Sequence, residues 1–168
     1  EVSMQNGDYR ASEVSDALEP WLNAIADQML EYCKDRKTVV FLPLVATSKK
    51  FKEILNNKGF IAEEVNGDSE DRKEILKNFD DGKYNVLCNS MLLTEGWDCP
   101  SVDCIINLRP TKSRALYQQI VGRGTRLYEG KKDLLVLDFL WNTAKHSLCR
   151  PSSLVAKSEE IAKKIDAK

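Results

Sequence analysis

Two short stretches hold residues that serve packing poorly and chemistry well. They are Thr94-Glu95-Gly96-Trp97-Asp98-Cys99-Pro100 and Gln119-Ile120-Val121-Gly122-Arg123-Gly124-Thr125-Arg126. In the second, Arg123 and Arg126 stand three apart with Gly124 and Thr125 between them, so a tight backbone projects both guanidinium groups in related directions. A guanidinium is a planar, permanently charged fork that matches phosphate oxygens, and glycines let a backbone approach a ligand closely. The chemistry is therefore recognition of a phosphate group or stabilisation of charge on one. From Arg109 to Lys132, seven bases (Arg109, Lys112, Arg114, Arg123, Arg126, Lys131, Lys132) face Glu129 alone, although the whole chain has a net charge of −1. That clustering predicts a surface turned toward a polyanion. Trp97 reads as packing, and Asp98 is also suited to capping the turn that follows it.

Other chemistries lack their residues. His146 is the single histidine, and the five cysteines are odd in number and contain no C-x-x-C pair, so no metal site is expected. Cys88 and Cys104 sit in apolar runs and read as small buried hydrophobes, which suits a reducing compartment. No G-x-x-x-x-G-K-[ST] occurs: Gly82-Lys83 is followed by Tyr84, and Gly130-Lys131 by Lys132. No acidic D-E-x-H/D box is present either. Lacking a phosphate-cradling loop, its lysine and an acid for Mg²⁺, the chain cannot hydrolyse a nucleoside triphosphate by itself. A dinucleotide-binding oxidoreductase fails too, because Gly122-Arg123-Gly124 lacks a third glycine and does not directly follow a strand.

The elements that must position these stretches follow from periodicity. The 168 residues, 42% hydrophobic and 30% charged, form one domain with no apolar run long enough to span a membrane. Residues 1–10 read as a loose lead-in. From about Ser12, the spacing of Leu18, Trp21, Leu22, Ile25, Met29 and Leu30 predicts one amphipathic helix. Strands are predicted at Thr38–Leu42, Phe60–Val65, Tyr84–Cys88, Val102–Leu108 and Leu134–Asp138. Helices are predicted at Ala46–Lys58, after Ser69 as cap, near Ser90–Thr94, at Ser113–Val121 and at Ser153–Ala167. Most strands are continuously apolar and alternate with helices. The fold class is thus α/β, an open and mainly parallel sheet with helices on both faces, and ligands are expected at the carboxyl ends of the strands.

On these elements, Q-x-x-G-R-x-x-R at Gln119–Arg126 resembles motif VI of superfamily 2 helicases and translocases, and T-E-G-W-D at Thr94–Asp98 resembles motif V. Val39-Val40-Phe41 is similar to motif IV, and Asn66-Gly67-Asp68 with Arg72 and Phe79 is similar to the H-G-x-x-x-x-x-R…F segment of the second motor lobe. The resemblance runs from about residue 37 to 140. It implies a RecA-like second lobe, a P-loop NTPase fold that lacks the P-loop. The implied division is a lead-in and helix over 1–36, the helicase C-terminal domain over 37–150 and a polar helix over 151–168.

Residue by residue, Arg123 and Arg126 resemble arginine fingers that reach the γ-phosphate of ATP. Gln119 resembles the residue that couples the γ-phosphate and attacking water to lobe closure. Gly96, Asp98 and Gly122 match positions near the nucleotide. Ser90 aligns with a hydroxyl on the nucleic-acid backbone, with Gly67, Thr47 (beside Ser48) and Thr94 as further backbone contacts. The resemblance implies ATP with Mg²⁺, bound mainly by an N-terminal lobe that lies before Glu1 in a longer, cytoplasmic, prokaryotic or phage-like protein. The fragment alone is expected to be silent. DEAD-box members usually place His where Gln119 stands and Gly where Thr125 stands. The forms Gly-Trp-Asp-x-Pro, Arg-Pro-Thr and G-R-G-T-R-L are closer to restriction-type and DNA-repair-type members, so DNA is the expected track rather than RNA. The competing expectation is a catalytically inactive binding module derived from a helicase.

Overall fold

A computed structural model describes residues 3–6, 8–90, 97–111 and 113–139. In chain order these form β1 (Met4–Gln5), β2 (Asp8–Tyr9), α1 (Ala11–Leu18), α2 (Leu22–Tyr32), β3 (Thr38–Phe41), α3 (Val45–Asn57), β4 (Ala62–Val65), α4 (Arg72–Asp80), β5 (Val86–Asn89), β6 (Cys104–Asn107), α5 (Arg114–Gly122) and β7 (Leu135–Leu137). The main sheet has the order β4-β5-β3-β6-β7, and every pair in it is parallel. This is the α/β architecture that the apolar runs predict.

Side chains alternate between the faces of the sheet, as the two-residue period of a strand requires. Val40, Cys88, Cys104 and Ile106 face α1, α2 and α3, packing with Leu22, Met29, Phe51 and Leu55. Val39, Phe41, Leu87 and Ile105 face the other way, packing with Phe79 of α4 and Ile120 of α5. Burial of both faces explains why the strands read as continuous apolar runs. It also puts α1 and α2 in the same core as the sheet.

Three local expectations change. The predicted N-terminal helix is two helices separated by a 3₁₀ turn at Glu19–Trp21. Pro20 has no N–H to donate there, and the break turns Trp21 off the apolar stripe, leaving it 64% exposed while Leu18, Leu22 and Met29 are buried. The lead-in is not loose: β1 and β2 pair antiparallel, and the Thr111 hydroxyl donates to Asp8 Oδ2 at 2.8 Å. Ser69 does not cap α4, whose N-cap is Asp71; the Ser69 hydroxyl instead accepts from the Asn66 amide at 3.0 Å and closes the turn containing Gly67.

The two glycine stop signals act as read, and Ser113, predicted as the first residue of a helix, is its cap instead. Gly59 and Gly82 take φ of +92° and +78° after α3 and α4, the left-handed conformation that only glycine adopts without strain. Ser113 caps α5 by accepting from the Leu116 amide at 3.2 Å. The helices expected near Ser90–Thr94 and at Ser153–Ala167, with Trp141 and His146, lie outside the described residues. Among the described residues no helix is long and apolar enough to cross a membrane.

Candidate functional site

Because all strands of the main sheet run one way, it has a carboxyl end, where they finish, and an amino end, where they begin. The candidate residues divide between these ends. After β6 reaches the carboxyl end, α5 returns antiparallel to the strands and delivers Gly122–Arg126 to the amino end. There the Gly124 amide donates to the Val121 carbonyl at 2.9 Å and the Thr125 hydroxyl to the Gly122 carbonyl at 3.1 Å, which ends the helix tightly. Trp97 and Asp98 reach the same end because they precede β6. The Trp97 ring is 7% exposed and lies 5.9 Å from Phe79, at the last turn of α4. The Lys37 ammonium, just before β3, sits 5.1 Å from the centroid of the Phe79 ring.

The two stretches meet. An Arg123 Nη1–H donates to the Trp97 carbonyl, and Arg126 Nη1 lies 3.0 Å from Asp98 Oδ2, with these two side chains 59% and 41% exposed. Gln119 is exposed on α5, one turn before Arg123. The arginines therefore stand at the end opposite to the one where ligands are expected. That rule describes a sheet that cradles its own ligand in the crevice beyond its strands, whereas the returning helix carries these groups to the opposite end.

The glycines of this turn have separate reasons. A Cβ on Gly122 would meet nothing within 4 Å, whereas one on Gly124 would lie 2.4 Å from Leu134 Cδ1 and 3.1 Å from Ile105 Cγ1. Gly124 is thus kept small by the core on which the turn presses. Gly124→Ala should destabilise by about 1–3 kcal/mol through overpacking, while Gly122→Ala should leave the urea midpoint of unfolding nearly unchanged.

At the carboxyl end stand Ser90, Gly67 and the start of α3. Ser90 is 9% exposed and follows Asn89 at the end of β5; its hydroxyl has no hydrogen-bond partner among the described residues. Gly67 is exposed in the turn after β4, braced by the Asp68 amide donating to Asn66 Oδ1 at 2.8 Å. Thr47 is buried and its hydroxyl is hydrogen-bonded to that of Ser15 on α1, so it can offer a ligand only its backbone amide. No side chain caps the N-terminus of α3, which leaves the first-turn amides without helical acceptors. Burial raises the pKa of the Glu64 carboxyl, which accepts from the Asn66 amide group. Thr94 and Gly96 lie outside the described residues.

Four of the seven bases between Arg109 and Lys132 have contacts within the described residues. Arg123 serves the Trp97 carbonyl and Arg126 pairs with Asp98. Burial lowers the pKa of the Arg109 guanidinium, with Asp8 beside it opposing the shift. Lys131 donates to the carbonyls of Pro100, Gly124 and Arg126. Nothing in local composition signals that role except the Gly130 before it, whose φ of +81° turns the chain back. The thiol of Cys99, in the first stretch, is pushed by burial up to about 11. Among the described residues no group of three His, Cys, Asp or Glu is gathered closely enough to hold a metal ion.

Comparison with known proteins gives these residues a context. Residues 21–128 match the helicase conserved C-terminal domain. A Schizosaccharomyces pombe protein bearing the name mitochondrial ATP-dependent helicase irc3 is 40% identical over 122 residues, 71% of this chain and 20% of that protein. A Saccharomyces cerevisiae protein bearing the name ATP-dependent helicase IRC3 is 32% identical over 128 residues, 75% of this chain and 19% of that protein. Among solved structures, a fragment assigned to the HsdR subunit of a type I restriction enzyme from Vibrio vulnificus superposes with a TM-score of 0.69 at 27% identity, covering 79% of this chain and 30% of that one. The chain thus spans about a fifth of the length of the two yeast relatives. With the five-stranded parallel sheet and the joined motifs, the match over residues 21–128 means that this chain belongs to the helicase conserved C-terminal domain family.

Proposed function

We propose that this domain is the second motor lobe of an ATP-driven helicase or translocase. In this reading it supplies Arg123 and Arg126 to an ATP whose P-loop and Mg²⁺-binding acid belong to a preceding lobe. The observation that carries the reading is the cluster at the amino end of the sheet, where both arginines are tied to the Trp97–Asp98 segment and Arg126 stays 59% exposed. A guanidinium held at the rim, away from the end where such a sheet keeps its own ligand, is placed to act on a phosphate bound by a neighbour. The donor set fits one side of a triphosphate: two guanidiniums for the terminal phosphate and the Asp98 carboxylate for a hydroxyl. ATP supplies the phosphoryl group that is lost. The arginines offset the charge on the equatorial oxygens of its loose transition state, and Gln119 orients the attacking water. The free, buried Cys33, Cys88, Cys99 and Cys104 suit the reducing cytoplasm.

The carboxyl end is the nucleic-acid face in the same reading. The unpartnered Ser90 hydroxyl, the Gly67 turn and the amide of Thr47 present neutral donors, with Thr94 following in sequence. Contacts of this kind fix the position of a backbone without reading its sequence. DNA is favoured over RNA by the Gly-Trp-Asp-x-Pro and G-R-G-T-R-L forms, and by the likeness to a restriction subunit.

The test is the ATPase rate of the full-length parent without nucleic acid and with single-stranded DNA, duplex DNA or RNA. Stimulation by DNA is expected. A flat response from folded protein would replace the motor with an inactive binding module. Ser90→Ala in the parent should weaken binding by about 0.5–1.5 kcal/mol, to the same extent on every sequence. Because the hydroxyl is neutral, the slope of log K against log salt should not change. A loss confined to particular sequences would contradict backbone positioning.

A further inference from the structure

Lys131 lies outside both resembled motifs, yet its ammonium is where they are tied together. Nζ is 2.5 Å from the Gly124 carbonyl oxygen, 2.9 Å from that of Arg126 and 3.2 Å from that of Pro100. An ammonium has three N–H donors, and here each has its own acceptor. Two acceptors belong to the turn that carries Arg123 and Arg126, and the third to the segment that carries Asp98. The lysine is brought back to this turn by a tight reversal in which the Lys131 amide donates to the Tyr128 carbonyl at 3.1 Å and Gly130 takes a φ of +81°. Burial lowers its pKa, with Asp103 and Cys99 nearby opposing the shift.

Three carbonyl dipoles converging on one cation are a costly arrangement to leave unfilled, since each oxygen would otherwise lose its partner in a partly dry place. The exposed Arg126–Asp98 pair gives the arginine turn little stiffness of its own. We infer that Lys131 is a positioning residue for the phosphate-facing arginines, its ammonium fixing the Gly122–Arg126 turn against the Trp97–Pro100 segment so that both guanidiniums are presented in one geometry. This rests on the proposed motor function and names a determinant of it that neither motif contains. Lys131 touches no reacting atom; it acts through the carbonyls flanking Arg126.

The experiment is a cycle in the full-length parent, comparing Lys131→Met, Arg126→Ala and the double variant. The readouts are single-turnover ATP hydrolysis with saturating nucleic acid, KM for ATP, and nucleic-acid affinity without nucleotide. Lys131→Met should slow turnover about 10²-fold, the scale of a misplaced catalytic group, while nucleic-acid affinity stays at the wild-type value. The double variant should lose far less than the product of the two single losses, because both changes remove the contribution of Arg126. A lysine needed only for folding would multiply its loss with that of Arg126→Ala, and that result would overturn the inference. If Lys131→Met melts early, Lys131→Arg keeps the charge, but its flat fork cannot serve three converging carbonyls. It should slow turnover to an intermediate degree with the same non-additivity, and wild-type turnover would overturn the inference. The two readings fail separately. Normal turnover in Arg126→Ala removes the arginine-finger reading, whereas a dead Arg126→Ala beside a fully active Lys131→Met removes only the role of Lys131.

Discussion

Arg126→Ala in the full-length parent should abolish nucleic-acid-stimulated ATP hydrolysis, by about 10³–10⁵-fold in kcat if the arginine acts as a finger in phosphoryl transfer. The fold should survive. The side chain is 59% exposed, and its recorded partner is Asp98, itself 41% exposed, so truncation buries no orphaned charge and opens no cavity. A steady-state assay with and without DNA, read beside a thermal melt, separates the outcomes. Loss of turnover at an unchanged melting temperature is expected. Near-normal turnover would remove Arg126 from the chemistry and leave the pair with Asp98 as a surface ion pair. Arg123 is a less clean target, because it is half-buried and donates to the Trp97 carbonyl. Its removal would disturb the segment that carries Asp98 as well as the phosphate.

Phe79→Ala should cost about 3–5 kcal/mol of stability, the usual range for truncating a buried aromatic. Phe79 is fully buried at the last turn of α4, stacks obliquely on Trp97 and lies beneath the Lys37 ammonium. A domain of this size has about 5–15 kcal/mol in all, so the variant should sit near its unfolding threshold. Urea denaturation followed by tryptophan fluorescence reads this directly: the midpoint should fall with the slope preserved. A shift below about 1 kcal/mol would mean that the Phe79–Trp97 contact is not part of the closed core. The effect is not only on stability. Trp97 is held by Phe79 on one side and offers its carbonyl to Arg123 on the other, so it links the packing of α4 to the arginine turn.

What the sequence disclosed follows from which signals are local. Continuous apolar runs such as Thr38–Leu42 and Val102–Leu108 reported strands covered on both faces, and Gly59 and Gly82 reported helix stops, because each depends on a few adjacent residues. Pro20 carried a local signal as well, but the regular apolar spacing through Trp21 outweighed it. The β1–β2 pair escaped notice because two-residue strands have no alternation to read, and their support comes from Thr111, about a hundred residues away. Gln119–Arg126 and Thr94–Asp98 were each legible as a motif resemblance. That Trp97, Asp98, Arg123 and Arg126 meet at the amino end was not, since it depends on the direction in which α5 returns. Lys131 was the least visible: its partners are backbone carbonyls, which any sequence has.

If the proposed function holds, the ion pair between Arg126 and Asp98 also sets what an arriving phosphate must displace. Exposed pairs of this kind are worth about 0–1 kcal/mol, and physiological salt screens charges over roughly 8 Å. Letting go of Asp98 therefore lowers phosphate affinity by a factor of about five at most, since a tenfold change would take about 1.4 kcal/mol. The carboxylate works as a light tether, keeping the guanidinium parked and extended between encounters and yielding it with little resistance. In brine the tether dissolves, and the resting arginine would wander before any nucleotide arrives.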